Sequence, residues 1–419
     1  NKLSLQQNSV MALTSFPKEK IKILLLEGVH PAAVEMFRDA GYTQIETTTG
    51  ALSEKELLQK INNVHILGIR SKTQLTAAAI KQADKLIATG CFCIGVNQVS
   101  MSDAIENGIA VFNSPFSNTR SVAELVIANC IMLLRRIPEK SKAVLAGQWL
   151  KDSAGCFEVR GKTLGIIGYG HIGSQVSVLA EALGMKVIFY DVEPKLSLGN
   201  AKACKSINDL LKLSDIVTLH VPGTSATRNM VNESFLRKMK KDSVLINLSR
   251  GEVMDEQAIV NAITEKHLAG LAADVFIDEP QQKGDLFQSP LQHLNNVLLT
   301  PHIGGSTLEA QENIGTDVAG KIIRYLETGN SMGSVSVPAL NLPLQQSAHR
   351  ILHIHHNVPG VLSEINTIMS KHKANILGQY LQTNNAIGYV AVDIDKKASA
   401  GLIADLKNSK ETIRVRGVY

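Results

Sequence analysis

Three side chains of complementary chemistry stand late in the chain, each near the end of an apolar run. Arg250 closes SVLINLSRG (243–251), Glu279 follows LAGLAADVF (268–276), and His302 ends the run in NVLLTPHIGG (296–305). Oxidation or reduction at a hydroxyl-bearing carbon needs a group that exchanges a proton, and imidazole titrates in the useful range. A carboxylate beside it would raise the imidazole pKa and fix its tautomer. A guanidinium offers a fork that holds a substrate carboxylate or polarises a carbonyl. Each residue alone has an ordinary reading: a solvated charge, a loop acid, a structural histidine. The set points to catalysis because each member stands at a strand end beyond a glycine-rich turn.

That turn is Gly168-Tyr169-Gly170-His171-Ile172-Gly173, which follows KTLGIIG and opens a helical stretch. Three such glycines allow a tight turn, close approach of backbone to a pyrophosphate, and close helix–strand packing. The helix N-terminus then offers unpaired N–H groups to phosphate charge. A glycine-rich turn alone is a weak signal, since it is often only a turn. Here the next strand, KVIFYD, ends in Asp191, where an acid grips an adenosine ribose. Strand, glycines, helix, strand and acid in order indicate a dinucleotide site. The acid favours NAD over NADP by repelling a 2′-phosphate, a preference that Lys195 would soften.

These residues need a sheet to carry them. IKILLLEG (21–28), VHILGIR (64–70), KLIATGCFCIG (85–95) and IAVFNS (109–114) are strand-like, and PAAVEMFRDA reads as a helix with Pro31 at its start. SVAELVIANCIMLLRRI (121–137) is a helix that is apolar almost all round and should be buried. A second series follows, with strands in KTLGIIGYG, KVIFYD, DIVTLHVP, SVLINLSRG, LAGLAADVF and NVLLTPHIGG. Near-continuous apolar runs of this kind are strands of a parallel sheet covered on both faces. A helix from Ser306 to Thr328 comes next, with Ser306-Thr307 as its cap. GNSMGSVSVPALNLPLQQS (329–347) is Gly-, Ser- and Pro-bearing and reads as a linker. The last seventy or so residues read strand, helix, strand, strand, helix, strand, a ferredoxin-like βαββαβ module.

Bulk properties exclude several classes. The 419 residues suggest two or three domains, and 44% apolar with 19% charged residues is a globular composition. No apolar run is long enough to cross a bilayer, and the first twenty residues lack the stretch a secretory signal needs. The expectation is a cytoplasmic protein with no membrane partner. A net charge of +5 with interspersed signs does not suggest nucleic-acid binding. Cys91, Cys93, Cys130, Cys156 and Cys204 are an odd set without zinc spacing, and are expected to be buried thiols. His353 and His355 share one face of a strand, but no cysteine accompanies them, and no metal is expected.

GYGHIG, Asp191, LHVP, NLSRGEVMD, ADVFIDEP and TPHIGGST resemble the signature segments of the D-isomer-specific 2-hydroxyacid dehydrogenases, over nearly the whole chain. GIRSKTQLT, GCFCIGVNQV, FNSPFSNTRSVAEL and HIHHNVPGVL look like the branch acting on D-3-phosphoglycerate. The resemblance implies that Arg250 binds substrate, that His302 is the acid/base and that Glu279 supports it. It implies an NAD site lined by Gly168, Gly170, His171, Ile172, Gly173, Asp191, His220, Val221, Pro222, Leu248, Ser249, Arg250, Asp274 and His302, Ile303, Gly304, Gly305. Arg70, Ser71, Lys72, Asn118 and Lys151 match substrate-holding segments. An arginine often stands at position 72, and lysine keeps the charge but loses the fork.

The resemblance further implies an α/β fold in which a Rossmann-type NAD domain (118–304) is inserted into a flavodoxin-like substrate domain (1–117 and 305–338). A linker (339–348) would lead to a ferredoxin-like ACT domain (349–419). His355, Asn357 and Asn375 match positions that hold L-serine as an effector, and pairing of such modules and of Rossmann domains would give a homotetramer. The implied reaction converts D-3-phosphoglycerate and NAD to 3-phosphohydroxypyruvate and NADH, the opening step of L-serine synthesis. Two alternatives stand beside it. One keeps the chemistry with lactate, glycerate, hydroxypyruvate or 2-hydroxyglutarate as substrate. The other is an NAD-sensing corepressor that binds protein partners without turnover.

Overall fold

Near-continuous apolar runs become the inner strands of two parallel sheets. The computed structural model describes residues 16–280, 284–343, 348–395 and 400–418. The polar segment before Pro17 falls almost wholly outside them, as do residues 344–347 of the expected linker. The chain divides into two units, Asn1–Ser117 with Gln311–Tyr419, and Asn118–Ala310.

In the first unit β1 (Lys22–Leu25), β2 (Gln44–Thr47), β3 (Ile66–Ile69), β4 (Ala88–Cys91) and β5 (Ala110–Asn113) form a sheet of order β2-β1-β3-β4-β5. All pairs are parallel, the flavodoxin-like order. Helices α1 (Pro31–Asp39), α2 (Glu54–Lys60), α3 (Ala77–Gln82) and α4 (Met101–Glu106) cover it. Phe37 of α1 packs in the core on one face, and Leu57, Ile80 and Ala104 pack on the other. Pro31 does open α1, and Ser53 with Glu56 closes a capping box on α2.

The second unit begins with α5 (Thr119–Leu134) and α6 (Ile137–Leu145). There follow β6 (Thr163–Ile167), α7 (His171–Ala182), β7 (Lys186–Tyr190), β8 (Lys202–Ala203), α8 (Ile207–Leu213) and β9 (Ile216–Leu219). The rest is α9 (Glu233–Lys238), β10 (Ser243–Asn247), α10 (Glu256–Thr264), β11 (Leu268–Ala273) and β12 (Val297–Leu299). The seven strands lie in the order β12-β11-β10-β9-β6-β7-β8, all parallel. Chain direction through the sheet reverses between β6 and β9, the crevice where doubly wound sheets bind ligands. α5 and α7 pack on one face, α8, α9 and α10 on the other.

α11 (Leu308–Thr328) is capped by the Thr307 hydroxyl, which accepts from Ala310 N–H at 3.2 Å. Its Ile314, Val318 and Ile322 return to the core of the first unit. The remainder is β13 (His349–His356), α12 (Val361–Lys371), β14 (Ile376–Thr383), β15 (Ile387–Ile394), α13 (Ala400–Asn408) and β16 (Thr412–Val418), an antiparallel sheet of order β14-β15-β13-β16. β15 is buried along its whole length. Val390 and Val392 face the α12 and α13 core, while Tyr389 and Ala391 join the core that includes Tyr325 of α11.

The stretch 329–347 connects the two sheets, but its residues 330–342 are not the free linker that composition suggests. Ser336 Oγ donates to Ile109 O at 2.7 Å and accepts from Val111 N–H at 2.8 Å. Val335 N–H donates to Val111 O, and Phe112 bridges Ser334 antiparallel, so the segment lies along the edge of β5. Ser331, Ser336, Val337, Leu340 and Leu342 are buried. Serine content marked this segment as polar, yet the hydroxyls are satisfied internally.

The expectation of five buried thiols is corrected in part. Cys91 and Cys130 are buried, but Cys93, Cys156 and Cys204 are half-buried, and all five are free. Among the described residues no helix is long and apolar enough to cross a membrane.

Candidate active site

β10, β11 and β12 deliver the three candidate side chains to one end of the second unit's sheet. His302 Nδ1 lies 2.8 Å from Glu279 Oε2, and Glu279 Oε1 accepts from Phe276 N–H at 3.1 Å. The Glu279 hydrogen bond raises the His302 pKa above the usual imidazole value; burial opposes it, and the charges of Glu279 and Asp274 reinforce it. Burial pushes the Glu279 carboxyl up, but the hydrogen bond and charge of His302, the Phe276 N–H and the Arg250 charge outweigh it and hold the carboxyl low. The pair therefore favours imidazolium beside carboxylate, and with Nδ1 held by Glu279 the ring nitrogen that can exchange a proton with a ligand is Nε2. Arg250 influences both partners, and its Nη1 donates to Ser249 O at 2.7 Å.

His302 itself has φ 54°, in the left-handed region where a non-glycine residue is uncommon. Asp274, 1% exposed, accounts for that turn. Its Oδ1 accepts from Ile303 N–H at 2.9 Å and from the Thr300 hydroxyl, and its Oδ2 accepts from Gly304 N–H at 2.7 Å. Asp274, assigned to the cofactor on sequence, thus also fixes the histidine turn. Sequence reading missed Asn247, which is fully buried at the end of β10. It accepts from Ser249 N–H and Oγ and donates to Arg250 O at 2.9 Å, so it shapes the turn that presents Arg250. An asparagine ending an apolar strand was the available signal.

The glycine turn can hold a dinucleotide. A Cβ on Gly168 (φ 91°) would run into His220 O, and one on Gly173 into Gly168 O. A Cβ on Gly170 would meet nothing within 4 Å, so open space lies where backbone must approach a phosphate. Gly170 stands at the N-cap of the 12-residue α7, with no side-chain cap, and His171 and Ile172 begin the helix. Asp191 Oδ2 accepts from Tyr169 N–H at 2.7 Å and Oδ1 from Glu193 N–H at 3.0 Å, which ties the acid to the turn while each oxygen keeps a lone pair for a ribose hydroxyl. Lys195 pairs with Glu193 at 2.6 Å, so its charge is already engaged beside that site. His220, Val221 and Pro222 follow β9. Burial drops the His220 pKa to about 3, so the ring is neutral. Leu248 and Ser249 are buried after β10, and Gly305 leaves room for the Asn118 amide. These residues fit NAD.

Asn118 is buried with an unpartnered Oδ1. Lys151 lies in the exposed segment after α6. Arg70, Ser71 and Lys72 belong to the other unit, directly after β3 at the ligand-binding end of its sheet. Arg70 is half-buried, and Ser71 and Lys72 are exposed.

In the C-terminal module His355 is 3% exposed, its Nδ1 bonds His356 O at 2.8 Å, and its Nε2 is buried without a partner. A Cβ on Gly388 would collide with that ring. The ring stacks on His353 at 5.5 Å between centroids. Asn357 donates to Asn384 O at 2.7 Å, and Asn375 is exposed. Among the described residues no three His, Cys, Asp or Glu side chains converge as metal ligands.

Comparison with known proteins accords with this geometry. Residues 127–304 match the family model of the D-isomer specific 2-hydroxyacid dehydrogenase NAD binding domain, and residues 351–414 match that of the AHAS small subunit-like ACT domain. The chain is 52% identical to D-3-phosphoglycerate dehydrogenase of Escherichia coli, covering 98% of this chain and 100% of the relative. It is 48% identical to the enzyme of the same name from Dictyostelium discoideum, covering 97% and 99%. The crystal structure of D-lactate dehydrogenase from Aquifex aeolicus, complexed with NAD and lactic acid, superposes with a TM-score of 0.64 at 26% identity, covering 76% of this chain and all of that one.

Proposed function

The chain belongs to the D-isomer specific 2-hydroxyacid dehydrogenases, and we propose that within that family it oxidises D-3-phosphoglycerate to 3-phosphohydroxypyruvate with NAD. The Glu279–His302 pair at 2.8 Å carries the chemistry, and the similarity along the whole chain to enzymes named for this substrate carries its identity.

Bound NAD supplies the hydride acceptor. His302 Nε2 takes the proton of the substrate hydroxyl as the carbon is oxidised, and Glu279 stabilises the resulting imidazolium. In the reverse direction the same imidazolium returns the proton. Arg250 holds the carboxylate next to the reacting carbon through its fork. Arg70, Ser71 and Lys72 hold the distal phosphate, with lysine acting there as a point charge. Asn118 and Lys151 complete the substrate set.

The C-terminal module senses L-serine through His355, Asn357 and Asn375. The buried, unpartnered Nε2 of His355 supports a ligand there, since such an atom is costly to leave unsatisfied. Leu145 and Trp149, 86% and 80% exposed on and after α6, support self-association into a homotetramer. Residues 1–117 and 305–338 act as the substrate domain and 118–304 as the NAD domain. The 339–348 segment leads to the regulatory domain at 349–419, and the protein works in the cytoplasm.

The test is NADH oxidation with phosphohydroxypyruvate against unphosphorylated hydroxypyruvate, each with and without L-serine. Turnover confined to the phosphorylated acid and suppressed by serine is expected. Equal turnover of both acids without a serine effect moves the substrate to another 2-hydroxy acid. Absence of turnover with strong capture of a protein partner favours the corepressor reading.

A further inference from the structure

We infer that Glu27 and Gln98 are positioning residues that clamp the backbone of Arg70–Thr73 and so keep Arg70 and Lys72 available to an anionic substrate. The inference rests on the reading that this loop meets the substrate. Nothing in the sequence motifs assigns either residue a role.

Glu27 follows β1 and adopts φ 62°, a left-handed conformation that a glutamate holds only where its surroundings fix it. It is 9% exposed, so its carboxylate is nearly removed from solvent. That carboxylate forms no ion pair with Arg70 or Lys72. Instead Oε1 accepts from Thr73 N–H at 2.8 Å and Oε2 from Lys72 N–H at 3.1 Å. Both oxygens are engaged by backbone, in charge-assisted hydrogen bonds.

The other end of the loop is held by Gln98, 6% exposed, whose amide donates to Arg70 O and to Gly95 O. The Thr73 hydroxyl accepts from Leu52 N–H at 3.2 Å, which ties the same loop to a third segment. The backbone of residues 70–73 is therefore fixed by buried side chains on both sides. Ser71 and Lys72 point their exposure outward. Holding charged groups in a preset frame lowers the cost of ordering them when ligand arrives.

Arg70 Nη1 donates to the backbone O of Glu27 at 3.5 Å, while the Glu27 carboxylate is turned to the loop's own amides. Its use on backbone N–H groups has a chemical consequence: among the described residues neither Arg70 nor Lys72 has an ion-pair partner. Their positive charge is left for a doubly anionic ligand.

The experiment compares wild-type protein with Glu27→Gln and Gln98→Leu. Glutamine at 27 keeps one acceptor and turns its amide N–H groups against the second backbone donor. Expected in both variants is a rise of about tenfold or more in KM for phosphohydroxypyruvate, with KM for NADH within about twofold of wild type. Amide hydrogen exchange at Lys72 and Thr73 should speed by about tenfold in Glu27→Gln while the melting temperature stays near that of wild type. Both KM values unchanged, or both moving together, with slow exchange at 72 and 73, overturns the clamp. If Glu27→Gln does not fold, Gln98→Leu carries the same kinetic comparison from the opposite end of the loop. If wild-type protein does not turn over the phosphorylated acid, the substrate reading fails, and the exchange rates still decide the clamp.

Discussion

Asp274 Oδ2 accepts a 2.7 Å hydrogen bond from the backbone N–H of Gly304, and the left-handed turn that carries His302 hangs from that carboxylate. Asp274→Asn replaces one acceptor with a donor facing an N–H group. The turn should loosen and displace the imidazole, lowering kcat by on the order of 10²-fold. Steady-state rates at saturating cofactor check this; an unchanged kcat would show that the turn holds without the charge.

Glu279→Gln removes the main cause of the raised His302 pKa. Oxidation requires neutral imidazole, so its rate rises as pH passes upward through that pKa. Reduction requires imidazolium and fades over the same range. In the variant both limbs should shift to lower pH, with a loss of roughly 10²-fold at the optimum. A pH–rate profile measured in both directions gives the answer.

The glycine turn makes a paired prediction. Gly170→Ala introduces a methyl group into open space, so the fold should keep its melting temperature while NAD affinity falls by about tenfold, or about 1.4 kcal/mol. Gly173→Ala drives the methyl into Gly168 O and should cost roughly 1–3 kcal/mol of stability as well. Calorimetry alongside cofactor titration separates the two effects. Equal behaviour of the variants would contradict the different roles assigned to these glycines.

A buried ion pair anchors the C-terminal sheet. Arg350 and Asp393, 5% and 0% exposed at their side chains, meet in two hydrogen bonds of 2.6 and 2.9 Å. Arg350→Met strands the aspartate and should destabilise by about 3–5 kcal/mol, much of it recovered in the Arg350→Met/Asp393→Leu double variant. Denaturant unfolding of the two variants tests this.

The strand-end positions of Arg250, Glu279 and His302 and the glycine turn were legible because buried parallel strands announce themselves as apolar runs. β2 (Gln44–Thr47) and β8 (Lys202–Ala203) were not, since both are edge strands with mostly exposed, polar side chains. The roles of Asn247, Glu27 and Gln98 were hidden for another reason. Each acts through hydrogen bonds to backbone groups distant in sequence or around a turn, and no residue pattern encodes which amide a buried side chain will meet. Asp274 was read for the ligand, whereas the structure shows its carboxylate bound to the protein's own loop at Thr300, Ile303 and Gly304. The packing of 330–342 was masked by serines whose hydroxyls look solvent-seeking until their partners are known.

The pairing of that last segment with β5 bears on how the chain can be dissected. β5 is the terminal strand of its sheet, and Val335 with Ser336 occupies the hydrogen-bonding groups of Val111. Cutting the chain where its composition changes, near residue 329, would strip this cover and leave a bare apolar edge. Such edges recruit strands from neighbouring molecules. A shortened chain should therefore run at least to Leu342 to keep β5 covered, and even then it bares the Tyr325 side of α11 that Tyr389 and Ala391 cover in the full chain.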